Sequence, residues 1–105
     1  MHVISKSALR AFWKLNPDSA RALEVWFKLV KLTTFRDFEH VKGIFPSADY
    51  VAPFTVFDVG GNKWRVVSVI HYNVGRLYVR HVFTHPDYDQ WCKVSRSRKQ
   101  RRKQK

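Results

Sequence analysis

Three observations along this 105-residue chain predict an α+β fold. Apolar residues recur at helical spacing through the first part of the chain, and from Phe54 onward the pattern shifts to a period of two. Turn chemistry at Gly60-Gly61-Asn62 and Asn73-Val74-Gly75 divides that second part into three strands. Helices followed by an antiparallel meander place the helices on one sheet face and leave the other face, or its rim, for function. The length suits one domain with one core, and sixteen aromatic residues supply large areas to bury.

Each element has a local reason. Met1-His2-Val3-Ile4 is a short apolar start suited to an edge strand. Ser5 or Ser7 can cap a first helix whose buried stripe is Leu9, Phe12 and Trp13. Asn16-Pro17-Asp18 reads as a second helix start: a cap, proline at the first position, then an acid at the positive dipole end. Leu23, Trp26, Phe27 and Val30 give that helix its core face. A third helix begins near Asp37, turns Phe38, Val41 and Phe45 inward, and ends near Gly43 ahead of Phe45-Pro46-Ser47. Strands follow at Phe54–Val59, Trp64–Tyr72 and Leu77–Phe83. Strict alternation in the last puts Leu77, Val79, His81 and Phe83 on one face and Tyr78, Arg80 and Val82 on the other. His85-Pro86-Asp87, with Thr84 as a candidate cap, opens a short terminal helix carrying Tyr88 and Trp91.

Charge narrows the function. The formal net charge is +12, and residues 94–105 hold seven Lys or Arg and no acid, leaving +5 on residues 1–93. Residues 1–93 therefore read as the domain and 94–105 as a basic tail, held open by self-repulsion when free. Such a tail binds polyanions by releasing their counterions, or is simply a solvated charge run. The lone Cys92 excludes an internal disulfide and a Cys-rich zinc site, and a reducing compartment is the default. No apolar run is long enough for a membrane span, so the expected location is the cytoplasm.

The densest chemistry lies in Arg80-His81-Val82-Phe83-Thr84-His85-Pro86-Asp87-Tyr88-Asp89. Cutting RNA by attack of its own 2′-hydroxyl requires a base, an acid for the departing 5′-oxygen, and cations for the charge on phosphorus. Arginine grips phosphate with its planar fork, and histidine titrates near neutrality. Tyrosine serves as a base only where cations lower its pKa. His85 and Tyr88 are three apart and share a face on a helical turn, while Lys63 and Arg65 can reach the same surface from a neighbouring strand. Duller readings stand beside these. Arg65 and Arg80 can solubilise a sheet face, Tyr88 can be a core aromatic, and His81 reads as a satisfied core histidine. His81 and His85 are four apart across a strand end, which does not make a zinc pair, and Gly60-Gly61-Asn62-Lys63 lacks the spacing of a P-loop.

Three segments together carry a family resemblance: Phe45-Pro46-Ser47-Ala48-Asp49, Val56-Phe57-Asp58-Val59-Gly60-Gly61-Asn62-Lys63-Trp64-Arg65-Val66, and the Arg80–Asp89 span. Over roughly residues 1–92 the chain resembles the HigB group of RelE-like bacterial toxins. The resemblance implies a RelE-like microbarrel of α+β type and a metal-independent, cofactor-free mRNA endoribonuclease, acting on messages at the ribosome. It implies as partners mRNA, ribosomal RNA and a neutralising antitoxin of the HigA helix-turn-helix type, with DNA met only through that antitoxin. Carried over by position, it places Arg65, Arg80, His85 and Tyr88 in catalysis. Arg65 and Arg80 fall on the scissile phosphate, and His85 and Tyr88 share the proton transfers. Asn62 and Lys63 fall to RNA binding, to which the basic residues Arg76 and, on a tail longer than the group's, Arg96, Arg98 and Lys99 are added on charge alone. Asp58 departs from the neutral amide frequent in the group and brings an acid to the site. The competing reading is a basic RNA-binding module that does not cut, for which a titratable acid/base pair is superfluous.

Overall fold

The computed structural model describes the backbone of residues 1–103 and the side chains of residues 1–94. Its order is β1 (His2–Ile4), α1 (Lys6–Leu15), α2 (Ala20–Leu32), α3 (Phe38–Ile44), β2 (Asp49–Val51), β3 (Phe54–Val59), β4 (Trp64–His71), β5 (Arg76–Thr84) and α4 (His85–Lys103). The α+β arrangement matches expectation, and the sheet has five strands in the order β1-β5-β4-β3-β2: the expected meander and N-terminal edge strand, with β2 added. β3, β4 and β5 form the antiparallel meander. β1 adds to it parallel to β5, pairing His2 with Arg76 and Ile4 with Tyr78. β2, too short to show an alternation, pairs antiparallel with β3 at the other edge.

Helices α1 to α3 pack on one face. Leu9, Leu23, Trp26, Val30 and Val41 meet Phe57, Val59, Val66 and Leu77 of the sheet in one buried cluster. Trp26 sits edge-on to Phe57, with ring centroids 5.2 Å apart. Local starts differ in detail from the sequence reading. Ser5 is extended, and its hydroxyl pairs with the Ser7 hydroxyl rather than with a backbone N–H of the first turn. Pro17 begins a single 3-10 turn, the Ser19 hydroxyl donates to the Asn16 carbonyl, and α2 proper starts at Ala20. Asp37 is a true cap, its carboxylate accepting the His40 N–H at 2.9 Å. Asp37→Ala is expected to cost about 1 kcal/mol, read as a lower urea midpoint at unchanged slope.

Two departures shape the opposite face. Val67 pairs with His81 and Ser68 with Val79, so Arg80 has no partner across the ladder. That one-residue bulge resets the alternation. Val82 rejoins the helix-side core with Leu77 and Val79, and His81 and Phe83 turn to the other face with Tyr78. The expected placement of His81 and Phe83 beside Leu77 is thereby corrected.

The second departure is α4. It crosses the face expected to stay free, where Trp91 meets Phe54, Phe83 and His81 at centroid distances of 5.2, 5.9 and 5.7 Å. Val56 and Val67, which face this side by register, are buried. α4 is also longer than the short terminal helix expected: the stretch after Trp91 holds no glycine or proline and is rich in Lys, Arg and Gln, good helix formers. Among the described residues no helix is long and apolar enough to cross a membrane.

Candidate active site

The β3–β4 turn supplies one side of the site. Gly60, Gly61 and Asn62 all have positive φ, and a Cβ at Gly60 would meet the Trp64 ring at 2.8 Å. Glycine is required there by both conformation and space. Arg65, directly opposite Asp58 on β3, locks the turn from below. Its Nε donates to Asp58 Oδ1 at 2.8 Å, Nη1 to the carbonyls of Asn62 at 3.0 Å and Trp64 at 3.3 Å, and Nη2 to Asn62 Oδ1 at 2.8 Å. The residue is 6% exposed and Tyr88 covers the guanidinium, its ring centroid 5.5 Å away. Four of the five donors of an arginine are therefore occupied.

The start of α4 supplies the other side. The His85 N–H donates to the Lys63 carbonyl at 3.1 Å, which ties the helix to the turn. Thr84 Oγ1 accepts the Asp87 N–H at 3.4 Å, as a cap on this turn should. His85 Nδ1 lies 3.2 Å from Asp89 Oδ2, one helical turn on, so its Nε2 is directed away from that partner. Both side chains are about half exposed, at 44% and 56%, and the pair orients the imidazole more than it stabilises the fold. Asp89 is a site residue beyond those the sequence motifs mark. The signal for it was its four-residue spacing from His85 on a helix opened by His85-Pro86.

Tyr88 turns inward. Burial, then its contacts with Cys92 and the charge of Asp49, raise its pKa well above the usual phenol value, and nearby Arg65 offsets only part of this. That direction is opposite to the lowering a cation-activated base needs. Because its folded pKa exceeds the unfolded value of about 10, the unfolded chain loses this proton first as pH rises. Stability should fall above that pH, and Tyr88→Phe should flatten the fall; urea melts at neutral and strongly alkaline pH provide the comparison.

Arg80 is not brought to His85. It lies at the bulge, five positions back along β5, with its guanidinium 5.4 Å from the Tyr78 ring centroid. His81 stacks on Phe83 at 5.2 Å, and partial burial, then the Arg80 charge, lower its pKa. Arg76 is at the far end of β5, paired with His71 and His2. The side chains of Arg96, Arg98 and Lys99 lie outside the described residues. Among the described residues no three His, Cys, Asp or Glu side chains gather as a metal-ligand set.

Residues 19–91, from the start of α2 to Trp91, match the HigB toxin family, described as the RelE-like toxic component of a toxin-antitoxin system. The chain belongs to the HigB toxin family. It is 33% identical to a protein named mRNA interferase HigB from Escherichia coli O6:H1, over 95% of this chain and all of the relative. Identity is again 33% to the mRNA interferase toxin HigB of Escherichia coli K12 and to the mRNA interferase HigB of Shigella flexneri, each over 93% of this chain and 97% of the relative. The HigB match takes in Asn62, Lys63, Arg65, Arg80, His85 and Tyr88, and it stops short of the basic stretch after Val94.

Proposed function

We propose that this HigB family chain is an mRNA interferase: a metal-independent endoribonuclease that cuts messages during translation and is held in check by a helix-turn-helix antitoxin. One observation carries the reading. The Lys63–His85 backbone bond joins the basic turn to a carboxylate-oriented imidazole on a strongly cationic protein. The names of the relatives support it.

His85 Nε2 takes the proton of the 2′-hydroxyl, whose oxygen attacks the neighbouring phosphorus. The Lys63 ammonium balances the charge that develops on the phosphoryl oxygens. Tyr88, kept protonated, suits only the acid role toward the departing 5′-oxygen, and the products are a 2′,3′-cyclic phosphate and a 5′-hydroxyl. The nucleophile belongs to the substrate, so the step needs proton transfer and cations but no metal-bound water. Arg65, with one donor left over, positions Asn62 and the turn rather than gripping phosphate. Arg80 binds RNA away from the reacting atoms. Arg96, Arg98 and Lys99 add phosphate contacts, on ribosomal RNA or on the message.

The test is inducible expression in a bacterial host with RNA 5′ ends mapped. Growth arrest with new cuts confined to translated messages is expected. A folded chain that yields no cuts and no arrest would move the reading to a non-cutting RNA-binding module.

A further inference from the structure

α4 covers only part of the sheet face on which the candidate site opens. It lies over Phe54, Phe83 and Arg65 through Trp91 and Tyr88. Toward the β1 edge the same face carries a strip of different chemistry. His71, at the end of β4, meets Tyr78 of β5 edge-on, with ring centroids 5.3 Å apart at 89°. Arg80, freed from the ladder by the bulge, lays its guanidinium over the Tyr78 ring. Arg76 stands beside them, and His71, Arg76 and Arg80 are all exposed. Packing does not account for this grouping: none of the four belongs to the buried core cluster or its apolar surround.

We propose that His71, Arg76, Tyr78 and Arg80 form a stacking subsite for a nucleotide of single-stranded RNA, distinct from the reacting centre at Lys63 and His85. A ring held edge-on by a second ring keeps its orientation, and a guanidinium 5.4 Å from its centroid adds a cation beside the face on which a base can stack. Base stacking on such a tier is sequence-tolerant because every base has a π-face. Arg76 and the remaining Arg80 donors take the flanking phosphates. Tyr78 is six positions before Thr84, the last residue of β5, and His85 follows it; that is roughly 20 Å at strand rise, so the subsite holds a nucleotide several positions from the scissile bond. Tyr78 and Arg80 are two apart on β5, the spacing that puts side chains on one face of a strand, and their contact follows from it. The subsite rests on the reading of RNA as substrate and not on cutting as such.

The experiment measures binding of a fluorescein-labelled 2′-O-methyl oligoribonucleotide, which lacks the attacking hydroxyl, to the full chain. Salt is held fixed because the basic tail makes affinity salt-dependent. Tyr78→Ala should weaken binding about tenfold, the scale of one lost base stack, while Tyr78→Phe should bind as the wild type does. A folded Tyr78→Ala protein that binds unchanged overturns the subsite. Photocrosslinking the wild type to a 4-thiouridine-substituted version of the same oligonucleotide decides the case if that variant does not fold. Crosslinks on His71 or Tyr78 support the subsite, and crosslinks confined to other segments overturn it. Tyr78-dependent binding by a protein that cuts no message would leave the subsite standing and remove the nuclease reading.

Discussion

His85→Ala is expected to cut messages roughly 100- to 10,000-fold more slowly than the wild type, the usual cost of removing a general acid or base. It should also abolish growth arrest on induction. The fold should survive, because the side chain is about half exposed and its tie to the turn is made by the backbone N–H, which alanine keeps. Asp89→Asn retains a carbonyl acceptor for Nδ1, so the imidazole keeps its orientation and the rate should fall by less than in His85→Ala. Mapped 5′ ends and initial rates on a translated message read both variants. A His85→Ala protein that cuts at the wild-type rate would move the chemistry to another group.

Asp58→Ala should be the most costly single change for stability near the site. It leaves a guanidinium with an 8% exposed side chain without its carboxylate partner. Breaking a buried pair by removing one member costs about 3 kcal/mol or more. For a domain of this size that is a loss of roughly 15 °C in melting temperature. Replacing both partners, as Asp58→Ala with Arg65→Met, should recover part of the loss, because no unpaired charge remains. Cutting by the double variant should stay low even when it is folded, since Asn62 loses the hydrogen bonds to its carbonyl and side-chain oxygen that set the turn. If Asp58→Ala melts as the wild type does, Arg65 is not the brace described here.

What could be read in the sequence was local. The stripes of α1 and α2, the Asp37 cap, the positive-φ turn at Gly60–Asn62 and the Thr84 cap depend on neighbours within a few residues, and the chain shows them directly. The acid at Asp58 was noticeable, but its partner was not. Pairing with Arg65 depends on the register of the β3–β4 hairpin, which composition does not fix. The bulge was equally hidden, because one extra residue in a strand leaves both halves looking regular while exchanging their faces. That is why His81 and Phe83 were expected beside Leu77. The docking of α4 follows from Trp91 and Tyr88 finding apolar rings and a guanidinium on a distant part of the sheet. The same docking buries Tyr88 and raises its pKa, a shift that no feature of its neighbours in the chain displays.

The strand order also governs when this protein can come into being during its own synthesis. β1 is made first, yet its partner in the sheet is β5, more than seventy residues later. A chain growing from its N-terminus carries β1 as a loose end until Arg76–Thr84 have been added, and only then can the sheet close on the last strand. His85 follows β5 immediately, so the imidazole and the closed sheet arrive together. A message truncated anywhere before that point yields a chain with neither. The candidate site is therefore complete only once β5 and the first turn of α4 have both been made.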